Sequence, residues 1–364
     1  MLSKWEARPT KRVLALDGGG IRGALTLGFL ERMELLLRVQ HNVPSLLLSE
    51  YFFLFSGTCS GSFFATGLAL GMTVEEIKSK YLELGGKIFN KKRKPWLKDF
   101  GIGLRYFLAA NYDEGPLEKE LKNTFSNEEN KPFHLGSDAV RTGLCIVAKR
   151  ADTFSTWLFH NNPRAKFYDS NKQILLWELV RASSAAPTFF RPVKVHVGNS
   201  EVGAFVDGGV SSANNPALMA FLMATVKGFK YNWEAGADKL MIVSVGTGFK
   251  LNEEKDLDKM LMQAFSNSST AHTLDMEVDN LGEDLIGGSP LFHYNRYTMA
   301  LEYDTLKELG RDFSQTQIDG LIQMDRGENA QILYELGSEM AKKSVRADHF
   351  PTSFSLIQPV KTNK

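Results

Sequence analysis

The chain has 364 residues, of which 43% are apolar and 23% charged, the usage of an ordinary folded protein. Its 31 glycines and 12 prolines follow no repeat, so collagen, coiled-coil and disordered classes are excluded. The 43 Lys and Arg residues against 42 Asp and Glu leave a formal charge of +1, which provides no general field for holding a nucleic-acid polymer.

Two strand–turn–helix units open the chain. The first is a short apolar strand over 12–16, a glycine turn over 17–20 and an amphipathic helix over 24–38. The second has an aromatic strand over 51–55 and, after a run of small residues, a helix over 62–70. Two consecutive units of this kind predict a parallel sheet covered by helices, and therefore an α/β fold.

Further elements continue the same pattern. A capping box at Thr73 and Glu76 predicts a helix that runs to about residue 85. Later strands are predicted over 142–148, 193–197, 204–206 and 240–245, and a helix over 330–340. We expect one large α/β domain over 11–250 and a helical C-terminal extension over 251–364 packed on it.

The sequence Gly-Thr-Cys-Ser-Gly at 57–61 lies between the second strand and its helix. A Gly-x-nucleophile-x-Gly pattern in that context is typical of a nucleophile elbow, where a strained central residue presents its side chain at a helix N-terminus. Small flanking residues let the strand and the helix approach closely. Cys59 is then the candidate nucleophile; a buried core cysteine is the alternative, since the bare pattern is weak.

Three consecutive glycines, Gly18, Gly19 and Gly20, open the first helix and expose backbone N–H groups suited to an anion. A tight turn alone, a nucleotide phosphate and the oxyanion of acyl transfer are the alternatives. The spacing of Gly18, Gly20 and Gly23 fits a dinucleotide motif, but the charge of Asp17 would face the pyrophosphate and no Walker lysine follows. The elbow on the adjacent strand favours the oxyanion.

Asp207 follows the strand over 204–206 and precedes two glycines. Such an Asp-Gly-Gly sequence is by itself usually a turn. It becomes informative in combination with the glycine loop and the elbow, which precede it in that order along the chain.

In this succession the three motifs resemble those of the patatin-like phospholipases, whose glycine-rich oxyanion motif, Gly-x-Ser-x-Gly elbow and Asp-Gly-Gly/Ala motif occur in the same order. The segments at 181–190 and 244–248 are similar to that family as well, so the resemblance spans about residues 11–250. It implies a three-layer patatin-like fold, with a mostly parallel central sheet flanked by helices. It also implies a lipid acyl hydrolase with a Ser–Asp dyad that uses no metal and no histidine.

Carried over by position, the resemblance assigns roles to particular residues. Cys59, at the position of the family's serine, would attack the ester carbonyl, and Asp207 would take its proton. Backbone N–H groups of the three loop glycines would stabilise the oxyanion. Arg22 would either steady the glycine loop or attract a phospholipid head group; an ordinary first-turn helix residue is the alternative.

The histidines and cysteines argue against a metal site and a disulfide framework. No two of the seven histidines lie three to five residues apart, as paired zinc ligands usually do. None lies in a glycine-rich loop, where a triad base would be expected. We therefore expect no metal and no cofactor. The two cysteines, Cys59 and Cys145, fit a reducing compartment.

The run over 91–98, with Phe100 and Phe107, interleaves positive charge with aromatic rings, which suits an anionic membrane surface. A solvated basic loop is the alternative. No stretch of 18 uncharged apolar residues occurs, and residues 1–12 contain no apolar signal segment. We expect a cytoplasmic protein, peripheral to the inner face of the membrane, with a membrane phospholipid as its substrate.

The segment over 291–297 looks more loosely similar to the bacterial patatin-like effectors of cyclic-oligonucleotide anti-phage signalling. That resemblance implies a cyclic oligonucleotide as the activator of phospholipid degradation. The leading hypothesis is thus a regulated effector that releases fatty acids from membrane glycerophospholipids. A constitutive lipase, a catalytically impaired patatin-scaffold protein that senses a nucleotide or lipid, and a nucleotide-dependent oxidoreductase are the alternatives.

Overall fold

The computed structural model describes residues 8–88, 112–198, 201–250 and 290–356. Its strands are β1 (Lys11–Leu16), β2 (Leu54–Thr58), β3 (Gly143–Arg150), β4 (Thr156–His160), β5 (Val193–Val197), β6 (Glu201–Asp207), β7 (Leu240–Val245) and β8 (His293–Tyr297). Its α-helices are α1 (Gly23–His41), α2 (Leu48–Tyr51), α3 (Ser60–Ala69), α4 (Val74–Ile88), α5 (Glu114–Thr124), α6 (Tyr168–Asn171), α7 (Leu176–Ser183), α8 (Ala217–Thr225), α9 (Tyr303–Glu308), α10 (Gln315–Ile322) and α11 (Ala330–Ser344).

The strands form one eight-stranded sheet. β3, β2, β1, β7 and β8 lie side by side in that order, and each neighbouring pair among them is parallel. β4 and β6 pair antiparallel with β3, and β5 pairs antiparallel with β6. The predicted mostly parallel sheet is confirmed. Helices lie between β1 and β2 and between β2 and β3, and they return the chain to the end of the sheet at which the next parallel strand begins.

Helices cover both faces of the sheet, which gives the three predicted layers. On one face, Leu14 and Leu16 of β1 belong to a large apolar cluster that includes residues of α1, α4, α7 and α11. On the other face, Val13 and Ala15 join a smaller cluster with α8. The alternation follows from the two-residue period of a strand. Every residue of β1 is buried, as expected for a central strand of a parallel sheet.

Two parts of the sheet differ from the sequence predictions. In place of a strand over 51–55, Leu48–Tyr51 forms one helical turn and β2 begins at Leu54, because the aromatic side chains there enter the core ahead of the strand. β4 and β8 were not predicted. β8 has the sequence His-Tyr-Asn-Arg-Tyr with only its last residue fully buried, so it has no apolar run, and backbone pairing with β7 holds it.

The C-terminal region contains helices, as predicted, and also contributes β8 to the sheet. Its helix α11 lies directly against α1. A Cβ atom at Gly28 would lie 2.2 Å from the Ser338 backbone nitrogen, and one at Gly337 would lie 2.1 Å from the Leu25 carbonyl oxygen. Glycine on each helix therefore permits the two backbones to touch. The predicted domain boundary near residue 250 stays a prediction.

The predicted membrane-contacting segment over 91–107 lies outside the described residues, so that role stays a prediction. Among the helices that the structure describes, none is long and apolar enough to cross a membrane.

Candidate active site

The register of β3 brings Cys59 and Asp207 together. β2 and β4 pair with overlapping stretches of β3 and therefore lie on its opposite edges. β6 pairs with residues of β3 that also pair with β4, so β6 must lie on the other edge of β3, which is the edge that β2 occupies. It lies just past the end of β2. Thr58 of β2 is opposite Val147, and Asp207 of β6 is opposite the next residue, Ala148. The carboxylate is therefore adjacent to the end of β2, close enough to Cys59 for its charge to raise the pKa of the thiol.

Cys59 occupies a sharp turn between β2 and α3. Its φ of 52° and ψ of −123° lie where a residue with a side chain stays only if its surroundings enforce it. A Cβ atom at Gly57 would lie 2.2 Å from the Gly61 carbonyl oxygen, and one at Gly61 would lie 2.0 Å from the Leu16 carbonyl oxygen. This is the geometry of a nucleophile elbow. Cys59 is partly exposed, whereas Cys145 is a fully buried core cysteine; the nucleophilic role itself stays a prediction.

The amides of the glycine loop between β1 and α1 have different partners. The Gly18 N–H donates to a backbone carbonyl at 3.4 Å, and the Gly19 N–H donates to Ser60 Oγ at 3.1 Å. The Gly20 N–H and the Ser60 N–H at the start of α3 instead act on the Cys59 sulfur, where both favour the thiolate. Of the three predicted oxyanion glycines, Gly20 therefore has the amide best placed for the role. The Ser60 amide is a second donor that the sequence analysis missed.

Two neighbours fix the orientation of the Gly20 peptide. Gly20 has a φ of +54°, and a Cβ atom there would lie 2.6 Å from the Met324 carbonyl oxygen. That carbonyl accepts a hydrogen bond from the Ile21 N–H at 2.9 Å. The Tyr81 hydroxyl donates to the Gly20 carbonyl oxygen and also contacts Ser60. No sequence motif pointed to Met324 or Tyr81, because both reach the loop through tertiary packing.

Burial dominates the electrostatics of the Cys59 and Asp207 pair. Desolvation raises the pKa of Asp207 to about 6, against hydrogen bonds from Cys59 and from the Gly209 N–H, the latter at 2.7 Å. Desolvation, followed by the nearby Asp207 charge, raises the pKa of the Cys59 thiol well above its ordinary range, although the Gly20 and Ser60 amides oppose this. At pH 7 a neutral thiol thus lies beside a mostly ionised carboxylate, which can accept the thiol proton.

A buried ion pair fixes the start of the glycine loop. Both Asp17 carboxylate oxygens accept hydrogen bonds from the Arg296 guanidinium, one of them at 2.9 Å, and Arg296 also donates to Ser244 Oγ at 2.7 Å. Asp17 is 3% exposed. The expectation that its charge would face a bound anion is wrong, because the carboxylate is directed at Arg296 of β8.

Arg22 supports the same loop from inside the protein. Its side chain is buried, and Nη1 donates to the Gly248 carbonyl oxygen at 3.3 Å. Burial lowers the pKa of Arg22 to about 10, while the charge of Asp17 acts in the opposite direction. Of the predicted roles, this placement favours steadying the glycine loop over attracting a head group.

An apolar pocket opens beside the elbow. Its polar part includes Gly20, Cys59, Ser60 and Asp207. Most of the remaining wall is aliphatic or aromatic, with side chains from α3, α4, α5 and α7 and the loop after α7, such as Phe63, Leu84, Ile88, Leu117, Leu121 and Phe189. A mostly apolar cavity with a few convergent polar groups is typical of a ligand site, and this one suits a fatty-acyl chain.

Comparison with known proteins relates the chain to a family. The model of that family, described as "Patatin-like phospholipase", matches residues 14–221, which include the glycine loop, the elbow and Asp207. A "cGAMP-activated phospholipase" of Escherichia coli (strain TW11681) is 29% identical over 241 residues, which cover 66% of this chain and 63% of that protein. A "cUMP-AMP-activated phospholipase" of Escherichia coli is 30% identical over 243 residues, which cover 65% and 64%.

This chain thus matches a little under two thirds of the length of those two relatives. "Probable inactive patatin-like protein 9" of Arabidopsis thaliana is 24% identical, over 95% of this chain and 84% of that protein. Because the family model covers more than half of the chain and includes all three motifs of the site, the chain belongs to the patatin-like phospholipase family.

Proposed function

We propose that the protein is a lipid acyl hydrolase that releases fatty acids from membrane glycerophospholipids. Asp207 takes the Cys59 proton, the sulfur attacks the ester carbonyl, and the oxyanion accepts hydrogen bonds from the Gly20 and Ser60 amides. The alcohol leaves with the proton held by Asp207, and water then hydrolyses the acyl group on Cys59 with the same carboxylate as base. The placement of the Asp207 carboxylate beside a cysteine in a strained elbow, with both residues lining one apolar pocket, is the observation that carries this proposal.

The pocket supports the substrate class. Its apolar wall runs from the elbow to α4 and α5, so an acyl chain can be buried while its carbonyl carbon lies at Cys59. Burial of each CH2 group contributes about 0.8 kcal/mol, which makes a long chain the main source of affinity. We infer a cytoplasmic protein that takes its substrate from the adjacent membrane leaflet.

Activation by a cyclic oligonucleotide, in an anti-phage effector, is part of the proposal. The names of two relatives, a cGAMP-activated and a cUMP-AMP-activated phospholipase, and the looser resemblance at 291–297 support it. Arg296 lies within that segment and binds Asp17 at the start of the glycine loop. A ligand that moved β8 would therefore act on the loop that carries the oxyanion donor.

A catalytically impaired binding protein is the second candidate. It is supported by the relative named as probably inactive, which matches 95% of this chain, and by sulfur in place of the family's serine oxygen. Against it, the chain keeps Asp207, both elbow glycines and the strained backbone at Cys59, which decay by drift would not be expected to preserve. The oxidoreductase alternative has less support, because the Gly18 and Gly19 amides are hydrogen-bonded within the protein.

Release of free fatty acid from phosphatidylethanolamine and phosphatidylglycerol vesicles tests the proposal. The natural protein, Cys59→Ser and Cys59→Ala are compared with and without cGAMP and cUMP-AMP. We expect weak release by the natural protein, greater release by Cys59→Ser and none by Cys59→Ala. Saturable nucleotide or lipid binding without release by either the natural protein or the serine variant would instead support the binding protein.

A further inference from the structure

The sulfur in the elbow determines which acyl donors the site can use. We propose that this site also hydrolyses long-chain acyl thioesters, and that it does so faster than it hydrolyses oxygen esters of the same acyl chain. The inference rests on the proposed function, because it uses the same nucleophile, base and pocket.

The preference follows from the two ways in which a tetrahedral intermediate on Cys59 can collapse. With an oxygen ester, either the Cys59 thiolate or the alkoxide leaves. An ordinary cysteine thiol has a pKa of about 8.5, and the pKa of an alcohol, like that of water, lies far above this value. The thiolate is therefore the much better leaving group, and most intermediates return to substrate.

The buried setting of the site does not remove this difference. Desolvation destabilises a departing alkoxide in the same cavity as it destabilises the Cys59 thiolate, so the order of the two leaving groups is kept. Within the part of the chain that the structure describes, the carboxyl group that lines the pocket with Cys59 is that of Asp207, and a single proton on it must serve the leaving oxygen. A thioester donor removes the imbalance, since both candidate leaving groups are then sulfur.

The complete reaction needs no other reactant than water. Asp207 takes the Cys59 proton, the sulfur forms a bond to the thioester carbonyl carbon, and the oxyanion lies at the Gly20 and Ser60 amides. The carbon–sulfur bond to the departing thiolate breaks, and that thiolate receives from Asp207 the proton that Cys59 had lost. Water, deprotonated by Asp207, then attacks the acyl-Cys59 thioester, which releases the fatty acid and restores the Cys59 thiol.

The pocket geometry agrees with a donor whose recognition is mostly through its acyl chain. The aliphatic and aromatic side chains of α4 and α5 line the cavity next to the elbow, and the two oxyanion donors are backbone amides that do not distinguish oxygen from sulfur in the leaving group. The selection between donors is thus made by the chemistry at Cys59 and not by a head-group site.

The test compares three donors of one acyl chain: palmitoyl-CoA, a peptide carrying S-palmitoyl cysteine, and a dipalmitoyl glycerophospholipid in mixed micelles. Palmitate release is measured for the natural protein, for Cys59→Ser and for Cys59→Ala, each with and without cGAMP. We expect the natural protein to favour at least one thioester over the phospholipid by about tenfold or more, and the serine variant to lower that ratio by at least a similar factor. The two thioester arms distinguish a coenzyme thioester from an acylated protein as the source.

A second measurement locates the chemistry. Acid quenching during turnover, followed by intact-mass and peptide analysis, should find the palmitoyl group on Cys59, and Cys145, buried in the core, is the internal control. Equal rates on the thioesters and the phospholipid, or thioester hydrolysis that survives Cys59→Ala, would overturn the inference. Phospholipid hydrolysis by Cys59→Ser without any thioester hydrolysis by the natural protein would refute the inference alone. No hydrolysis of any donor by either form would refute the proposed function together with it.

Discussion

Replacing Asp207 with asparagine should stabilise the protein and remove most of its activity at the same time. The native pKa of Asp207, about 6, lies above its ordinary value of 3.8, so the native state holds this proton more tightly than the unfolded chain does. Ionisation of Asp207 therefore opposes folding. The stabilisation that the protonated side chain gives the native state is complete below pH 3.8 and is lost as the pH rises through 6. By linkage, ionising Asp207 in the native state costs about 3 kcal/mol at pH 7 and about half of that at pH 5.

The asparagine variant avoids that cost and keeps an oxygen that can accept the Gly209 N–H. Urea denaturation at the two pH values should show a gain in the free energy of unfolding of up to about 3 kcal/mol at pH 7 and about half of that at pH 5. Heating should show a rise of about 4 °C in Tm at pH 7. Fatty-acid release should fall by about 10²–10⁴-fold, which is what a positioned base contributes.

The stability measurement and the activity measurement test separate parts of this reasoning. A variant less stable than the natural protein at pH 7 would contradict the view that burial, and not a specific ion pair, sets the Asp207 pKa. A variant with near-normal turnover would show that another group is the base. For the natural protein, activity should fall about tenfold between pH 7 and pH 5, in proportion to the ionised fraction of Asp207.

Three further predictions concern the elbow and the loop beside it. Arg296→Met removes the bidentate partner of buried Asp17, so the free energy of unfolding in urea should fall by about 3 kcal/mol and turnover should fall as well. Arg346→Met is the control: it breaks an exposed ion pair with Asp348 and should change the free energy of unfolding by less than about 1 kcal/mol. Gly61→Ala places a Cβ atom 2.0 Å from the Leu16 carbonyl oxygen and should greatly reduce the yield of folded protein. Gly86→Ala, in a helix at a position where an added Cβ atom would meet no other part of the protein within 4 Å, should instead stabilise it by about 0.5–1 kcal/mol. Ser60→Ala keeps Cys59 and should lower turnover without abolishing it, since its hydroxyl holds the Gly19 amide; loss of activity in Ser60→Ala with retention in Cys59→Ala would reassign the nucleophile.

The central strands could be predicted because their sequences report their surroundings. β1 and β7 are short apolar runs buried on both faces, and their predicted positions agree with the structure to within one residue. β8 could not be found in this way, because its residues are polar and its place depends on hydrogen bonds to β7. The turn over Leu48–Tyr51 shows the converse, since aromatic residues can be buried from a helix as well as from a strand.

The same distinction, between what local sequence indicates and what distant contacts determine, applies to the candidate site. Cys59, Asp207 and the loop glycines could be singled out from local motifs, because the elbow and the glycine turn each need particular residues within a few positions. The side chain that binds Asp17 and the carbonyl that accepts the Ile21 N–H come from distant parts of the chain, and no local pattern marks them. Sequence motifs therefore indicated the reacting groups and missed the contacts that orient them.

The contact between the first and last long helices has a consequence for how the chain must fold. α1 can bury its glycine-marked face only when residues 330–344 are present, and β1 can complete its pairing only when Leu240–Val245 has arrived. A chain emerging from the ribosome therefore keeps two of its most apolar segments uncovered during most of its synthesis. Contacts between segments so far apart in sequence form slowly, and until they form, apolar surface that promotes aggregation stays exposed. Chaperone supply and growth temperature should therefore govern the soluble yield of this protein.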